Sequence, residues 1–199
     1  MEKMKKYLTL LIFLFFSAAT LLGQPEREKK WAVGLFSGLY FMQDEAFQEV
    51  YGQNTFFLGA EIPLPLSKFI KNLEGMFHFR YMNDKGKTTL TEEETKLQLI
   101  YFSLSVRYMM NLNKFKPFFG PGVDYVLYQE KYPETFPVDS MNGSTLGFHV
   151  LGGSYYSLSS FLSLYVYIKY NIAETTEEEI KVNLGGTEWG IGLLYRFNL

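Results

Sequence analysis

From Trp31 onward the chain alternates between two kinds of residue. Period-two alternation puts residues i, i+2 and i+4 on one face of a strand. In 97–109, Ile100, Phe102, Leu104, Val106 and Tyr108 oppose Tyr101, Ser103, Ser105 and Arg107. In 161–171, Leu162, Leu164, Val166, Ile168 and Tyr170 oppose Ser163, Tyr165, Tyr167 and Lys169. In 73–83, Leu73, Gly75, Phe77, Phe79 and Tyr81 oppose Glu74, Met76, His78 and Arg80. The pattern predicts strands at 31–41, 55–65, 73–83, 97–109, 117–129, 146–157, 161–171 and 185–197. Each has the length a tilted spanning strand needs.

The connections alternate too. Those at 66–72, 110–116 and 158–160 are short or moderate, and those at 42–54, 84–96, 130–145 and 172–184 are longer and more polar. Asp44 to Tyr51 (DEAFQEVY) has helical character, with Phe47, Val50 and Tyr51 placed to pack on a rim. Together these features predict an all-β fold, an eight-stranded antiparallel up-and-down barrel. An apolar strand face can turn inward in a soluble barrel or outward to lipid in a membrane barrel. Three observations favour lipid. The polar faces carry little charge and much Gly and Tyr, whereas a solvated exterior is richer in Lys and Glu. Their charges nearly balance: Glu61, Glu74, Asp124 and Glu188 stand against Arg80, Arg107, Lys169 and Arg196, with His78 and His149 beside them. A narrow lumen must pair buried charges, because an unpaired one is costly. Finally, Phe41, Tyr81, Tyr108, Phe118, Tyr128, Tyr170, Trp189 and Phe197 fall near strand ends, where interfacial girdles lie.

The first residues differ from the rest. Lys3, Lys5 and Lys6 precede the apolar run Tyr7–Phe16, followed by Ser17-Ala18-Ala19 and Gly23 as alternative cleavage points. That is the order of a signal peptide, so residues 1–23 are read as the export address and 24–199 as the transmembrane barrel. No later apolar run is long enough to span as a helix. Aromatic residues make up 18% of the chain and cysteines are absent. There is therefore no disulfide, thiolate metal site or lipidated N-terminal Cys. The formal net charge of -2 leaves no basic excess for a nucleic-acid partner.

Specific stretches sharpen this reading. The first strand, WAVGLFSGLYF, leads into FQEVYG; PFFGPGVDYVLYQE occupies the middle; the last strand reads GGTEWGIGLLYRFNL. Across residues 28–199 the chain resembles the small OmpA/OmpX-like eight-stranded barrels of the Gram-negative outer membrane. The resemblance implies outer-membrane lipids as surroundings, and an extracellular partner reached through the outer loops. It also implies recognition by the barrel-assembly machinery through Gly192, Tyr195 and Phe197. The sequence departs from that terminal pattern in having Asn198 and Leu199 after the Phe, and Gly190 in place of a polar residue.

Candidate chemistry is sparse. The His-x-Ser pair of barrel deacylases is missing at His78 and His149. Glu92-Glu93-Glu94 and Glu177-Glu178-Glu179 lack the mixed oxygen ligands of a calcium loop. Gly185, Gly186, Gly190 and Gly192 lack the order of a phosphate loop and its following helix. The sequence predicts no enzyme, cofactor or metal. It predicts a lumen filled by its own polar side chains and a structural or surface-interaction role. A narrow channel or ligand-binding lumen and a secreted lipocalin-like barrel are the competing readings.

Overall fold

The computed structural model describes residues 30–64, 66, 70–89, 91–133, 135–136, 139–177 and 180–198. The proposed export segment 1–23 lies outside them, as do Glu178 and Glu179 of the second acidic run. In chain order the elements are β1 (Lys30–Met42), α1 (Glu45–Tyr51), β2 (Asn54–Leu64), β3 (Leu73–Lys87) and β4 (Glu94–Met109). They continue with β5 (Phe115–Lys131), β6 (Ser140–Ser157), β7 (Leu162–Glu177), β8 (Ile180–Asn183) and β9 (Gly186–Asn198).

Consecutive strands from β1 to β7 pair antiparallel, β7 also pairs with β9, and β9 lies beside β1. Among the described residues the wall is thus a closed ring of eight strands, with β8 a short arm on Glu174–Glu177 of β7. Closure leaves the ring itself without a free edge, as a backbone in lipid requires. Val106/Pro121 and Arg107/Gly120 are missing from the β4–β5 ladder, although the register resumes unchanged at Tyr108↔Phe119. Pro121 has no amide hydrogen to give there.

The direction of the faces is unambiguous. Leu104 is 48% exposed, whereas Tyr101, Ser103, Ser105 and Arg107 on the same strand are buried. Phe56 and Leu58, Phe148 and Val150, Val166 and Ile168, and Ile191 and Leu193 also face outward. On β7 the outward apolar row runs from Leu162 to Ile172. Ten steps of about 3.3 Å, tilted by about 40°, give an apolar band roughly 25 Å tall. That matches the hydrocarbon band of a membrane barrel.

Two features differ from the sequence reading. The strands outrun the predicted segments on the outer side, so half or more of each of 84–96, 130–145 and 172–184 is paired hairpin wall. The predicted ends lay where the outward row turns polar, but backbone pairing does not need lipid to continue. Phe118 and Tyr128 also leave the proposed girdle. At 2% and 8% exposed they point inward, sharing their parity with Gly120, Gly122 and Asp124.

The short helix forms where expected. Asp44 accepts a hydrogen bond from the Ala46 amide (3.0 Å) and another from Phe47, an N-cap, and Gly52 ends the helix at φ 85°. The second carboxylate oxygen of Asp44 takes the Asn183 amide at 3.0 Å, tying α1 to the end of β8.

Candidate functional site

The barrel interior is a stack of layers, to which β4 contributes Tyr101, then Ser103 and Ser105, then Arg107. Nearest the short turns, Arg107 donates to the Tyr155 hydroxyl (2.7 Å), to Glu61 (3.4 Å) and to His78 Nε2 (2.9 Å). Arginine has no acceptor, so His78 Nε2 accepts and Nδ1 carries the proton, 3.5 Å from Glu61. Tyr155 donates to the other Glu61 oxygen at 3.1 Å. The guanidinium lies 4.5 Å above the Phe118 ring centre, an inward cation–π contact.

The middle layer gathers around Asp124. Lys169 Nζ lies 3.1 Å from one carboxylate oxygen, and Ser103 donates to the same atom. His149 Nδ1 is 2.9 Å from the other oxygen, and its Nε2 is 2.9 Å from Ser105 Oγ. The ring packs so closely on Gly122 that a side chain at that position would collide with it. Three adjacent strands therefore assemble a Ser105–His149–Asp124 chain in the order of a hydrolytic triad. All three residues are buried in the packed lumen, apart from the cleft beside Glu49 and Glu94 and the one beside Lys71 and Arg196.

The next layer outward holds Arg80 and Glu188 as a close ion pair, with Tyr167 donating to the same glutamate. Arg80 is stacked against Tyr101 (3.8 Å to the ring centre), Tyr40 (4.9 Å) and Phe57 (5.6 Å). Tyr40 and Tyr101 both donate to the Leu184 carbonyl at 2.8 Å, which ties the layer to the β8–β9 link.

Above it the lumen turns apolar. Met42, Met82, Leu97, Leu99, Tyr128 and Leu184 are buried together, and α1 lays Phe47 and Val50 on them. Tyr51 seals the edge, its hydroxyl donating to Glu130 and lying 3.1 Å from Thr95 Oγ1. Burial and the Glu130 hydrogen bond push the Tyr51 phenol well above its ordinary pKa. Tyr132, which also bonds Glu130, is raised by burial and the glutamate charge.

Of the ten polar residues singled out from the sequence, eight lie in these layers: Glu61, His78, Arg80, Arg107, Asp124, His149, Lys169 and Glu188. Glu74 and Arg196 lie apart, at the short-turn mouth. They line a cleft of about 410 Å³ with Lys71, Lys116 and Asn111. Arg196 donates to Ser163 at 2.7 Å, and Glu74 Oε2 is buried with no hydrogen-bond partner among the described residues. Sequence reasoning did not name Tyr40, Tyr155 or Tyr167 as network members. Their parity within their strands was the available signal. In the last strand Gly192 is buried, Tyr195 faces outward, and the Phe197 ring stacks on Tyr195 at 6.2 Å. Among the described residues no group of His, Asp and Glu is placed to hold a metal ion.

A closed barrel with an apolar exterior and an ion-paired interior defines an outer-membrane barrel. The chain belongs to the family described as outer membrane protein beta-barrel domain, whose model matches residues 8–197, and its place is the bacterial outer membrane. Three solved structures share the fold. Neisserial surface protein A is 14% identical with a TM-score of 0.59, over 84% of this chain and 97% of that one. The N-terminal barrel domain of Pseudomonas aeruginosa OprF is 11% identical with a TM-score of 0.53, over 86% and 100%. Escherichia coli outer membrane protein W is 13% identical with a TM-score of 0.51, over 86% and 100%. No curated protein matches the chain. The outward apolar face and the family membership set the soluble lipocalin-like reading aside.

Proposed function

We propose that this protein is a closed, non-enzymatic barrel that works as a membrane-anchored structural or surface-interaction element. The observation that carries this reading is the two-part filling of the lumen. The ion-paired layers occupy the middle, and the apolar cluster under α1 and Leu184 caps them on the outer side. An eight-stranded barrel has an interior just wide enough for side chains to fill. The outer hairpins, raised past the apolar band, are then the parts free to meet other molecules. In this reading residues 1–23 direct export, and Gly192, Tyr195 and Phe197 on the last strand are contacts for the barrel-assembly machinery.

The alternative is a narrow channel entered from the cleft at Glu74 and Arg196. Purified barrel in a planar lipid bilayer is expected to give no current steps above the lipid baseline. Recurrent unitary steps would establish the channel instead.

The Ser105–His149–Asp124 chain is read as internal support for Lys169, because all three residues are buried within the packed lumen. A fluorophosphonate probe is expected to leave the folded barrel unlabelled at neutral pH. Labelling that disappears in Ser105→Ala would make the triad catalytic and overturn the non-enzymatic reading.

A further inference from the structure

On the outer wall, strands β3, β4, β5 and β6 are in register in a way that sorts their outward residues into rows. The last row of the apolar band is Tyr81↔Ile100↔Leu127. The next is a row of amides, Asn83↔Gln98↔Gln129↔Asn142, in which Gln98 donates to the Tyr81 hydroxyl at 2.8 Å. The one after that is a row of ammonium groups, Lys85↔Lys96↔Lys131.

Like charges directly opposite one another work against a sheet. Strand-end lysines often protect an open edge, but this wall is closed. Glu94 answers part of the charge, 3.3 Å from both Lys85 and Lys96. Two nearby acids point inward: Asp84 is held by Thr55, and Glu130 by Tyr51 and Tyr132. Lys131 has no ion-pair partner among the described residues, while its carbonyl is fixed by Thr95 at 2.8 Å. The side chains of Lys85 and Lys96 are 63% and 51% exposed.

Apolar band, amide row and ammonium row follow the order of a lipid's acyl chains, polar linkage and phosphate. We propose that the Lys85–Lys96–Lys131 row binds the phosphate of an outer-leaflet lipid whose chains lie against Tyr81, Ile100 and Leu127. The proposal rests on the outer-membrane placement and not on the closed lumen, so a conductance result leaves it intact.

The test is native mass spectrometry of the full-length barrel in detergent micelles titrated with diphosphoryl lipid A. The wild-type protein is expected to retain the lipid, and K85Q/K96Q/K131Q to weaken retention about tenfold or more. E94Q is expected to strengthen retention. K71Q/K114Q/K116Q, which removes as many charges at the opposite end, is expected to leave it unchanged. Dephosphorylated lipid A should bind no better than diphosphoryl lipid A binds to K85Q/K96Q/K131Q, and equimolar inorganic phosphate should not displace the lipid. Equal loss in both triple variants, equal binding of the dephosphorylated lipid, or displacement by inorganic phosphate would each overturn the proposal. Heat-modifiable mobility on gels reports folding of every variant. Should K85Q/K96Q/K131Q not fold, E94Q and the dephosphorylated lipid decide the matter.

Discussion

Arg107→Met is expected to destabilise the folded barrel by about 3–5 kcal/mol, the usual consequence of leaving one member of a buried ion pair unanswered. Arg107 is 1% exposed and binds three partners at once. Methionine would fill much of the volume above Phe118 but donate nothing. Glu61, also 1% exposed, would keep its charge with only the tyrosine and histidine contacts to stabilise it. Replacing both members removes that unpaired charge, so Arg107→Met combined with Glu61→Gln is expected to recover at least half the loss. The measurement is reversible urea unfolding in phospholipid vesicles, followed by the fluorescence of Trp31 and Trp189. Both tryptophans face outward and report transfer between lipid and water. If the double variant is no more stable than Arg107→Met, charge pairing is not what holds this layer, and packing around Tyr155 and Phe118 would have to carry it.

The residues involved show how far the sequence could be read. Parity alone put Arg107, Glu61 and His78 on inward faces, because a one-residue slip would expose every polar group on the strand to lipid. Parity does not say which acid meets which base, since that depends on register between strands far apart in sequence. Arg107 reaches Glu61 across β3, and Arg80 meets Glu188 on β9. The Ser105–His149–Asp124 chain was invisible for the same reason: a local His-x-Ser search cannot see three neighbouring strands converge. The apolar outer lumen was missed because Met82, Leu97 and Leu99 stand inward where the outward row becomes polar, an inversion of the pattern used to recognise the strands. That inversion is what a wall passing from lipid into water over an apolar core requires. It also explains why the hairpins looked like loops. Phe118 and Tyr128 were misplaced because an aromatic near a strand end suits an interface only when its parity is outward, and theirs is inward.

The second large effect tests the outer surface. Leu104→Arg is expected to destabilise the barrel by about 2–4 kcal/mol in a bilayer, as for arginine near the midplane of a lipid-facing strand. Leu104 sits outward between Phe102 and Val106, with Phe77 and Val123 as its cross-strand neighbours. None of these can pair with a guanidinium. Ile100→Arg moves the same charge two outward positions toward the amide row, beside Tyr81 and Leu127. There the side chain can extend to water and to the polar headgroup region, and the expected effect falls to about 0–1 kcal/mol. The comparison between the two sites carries more weight than either value, because helix or strand propensity and side-chain entropy are nearly shared. The same vesicle unfolding experiment measures both variants. A soluble barrel with this face buried in a protein contact would penalise both sites alike, and equal effects at positions 100 and 104 would contradict a graded lipid boundary along β4. A larger effect at 104 places the hydrocarbon centre near Leu104 and its edge near Ile100, directly below the row of amides.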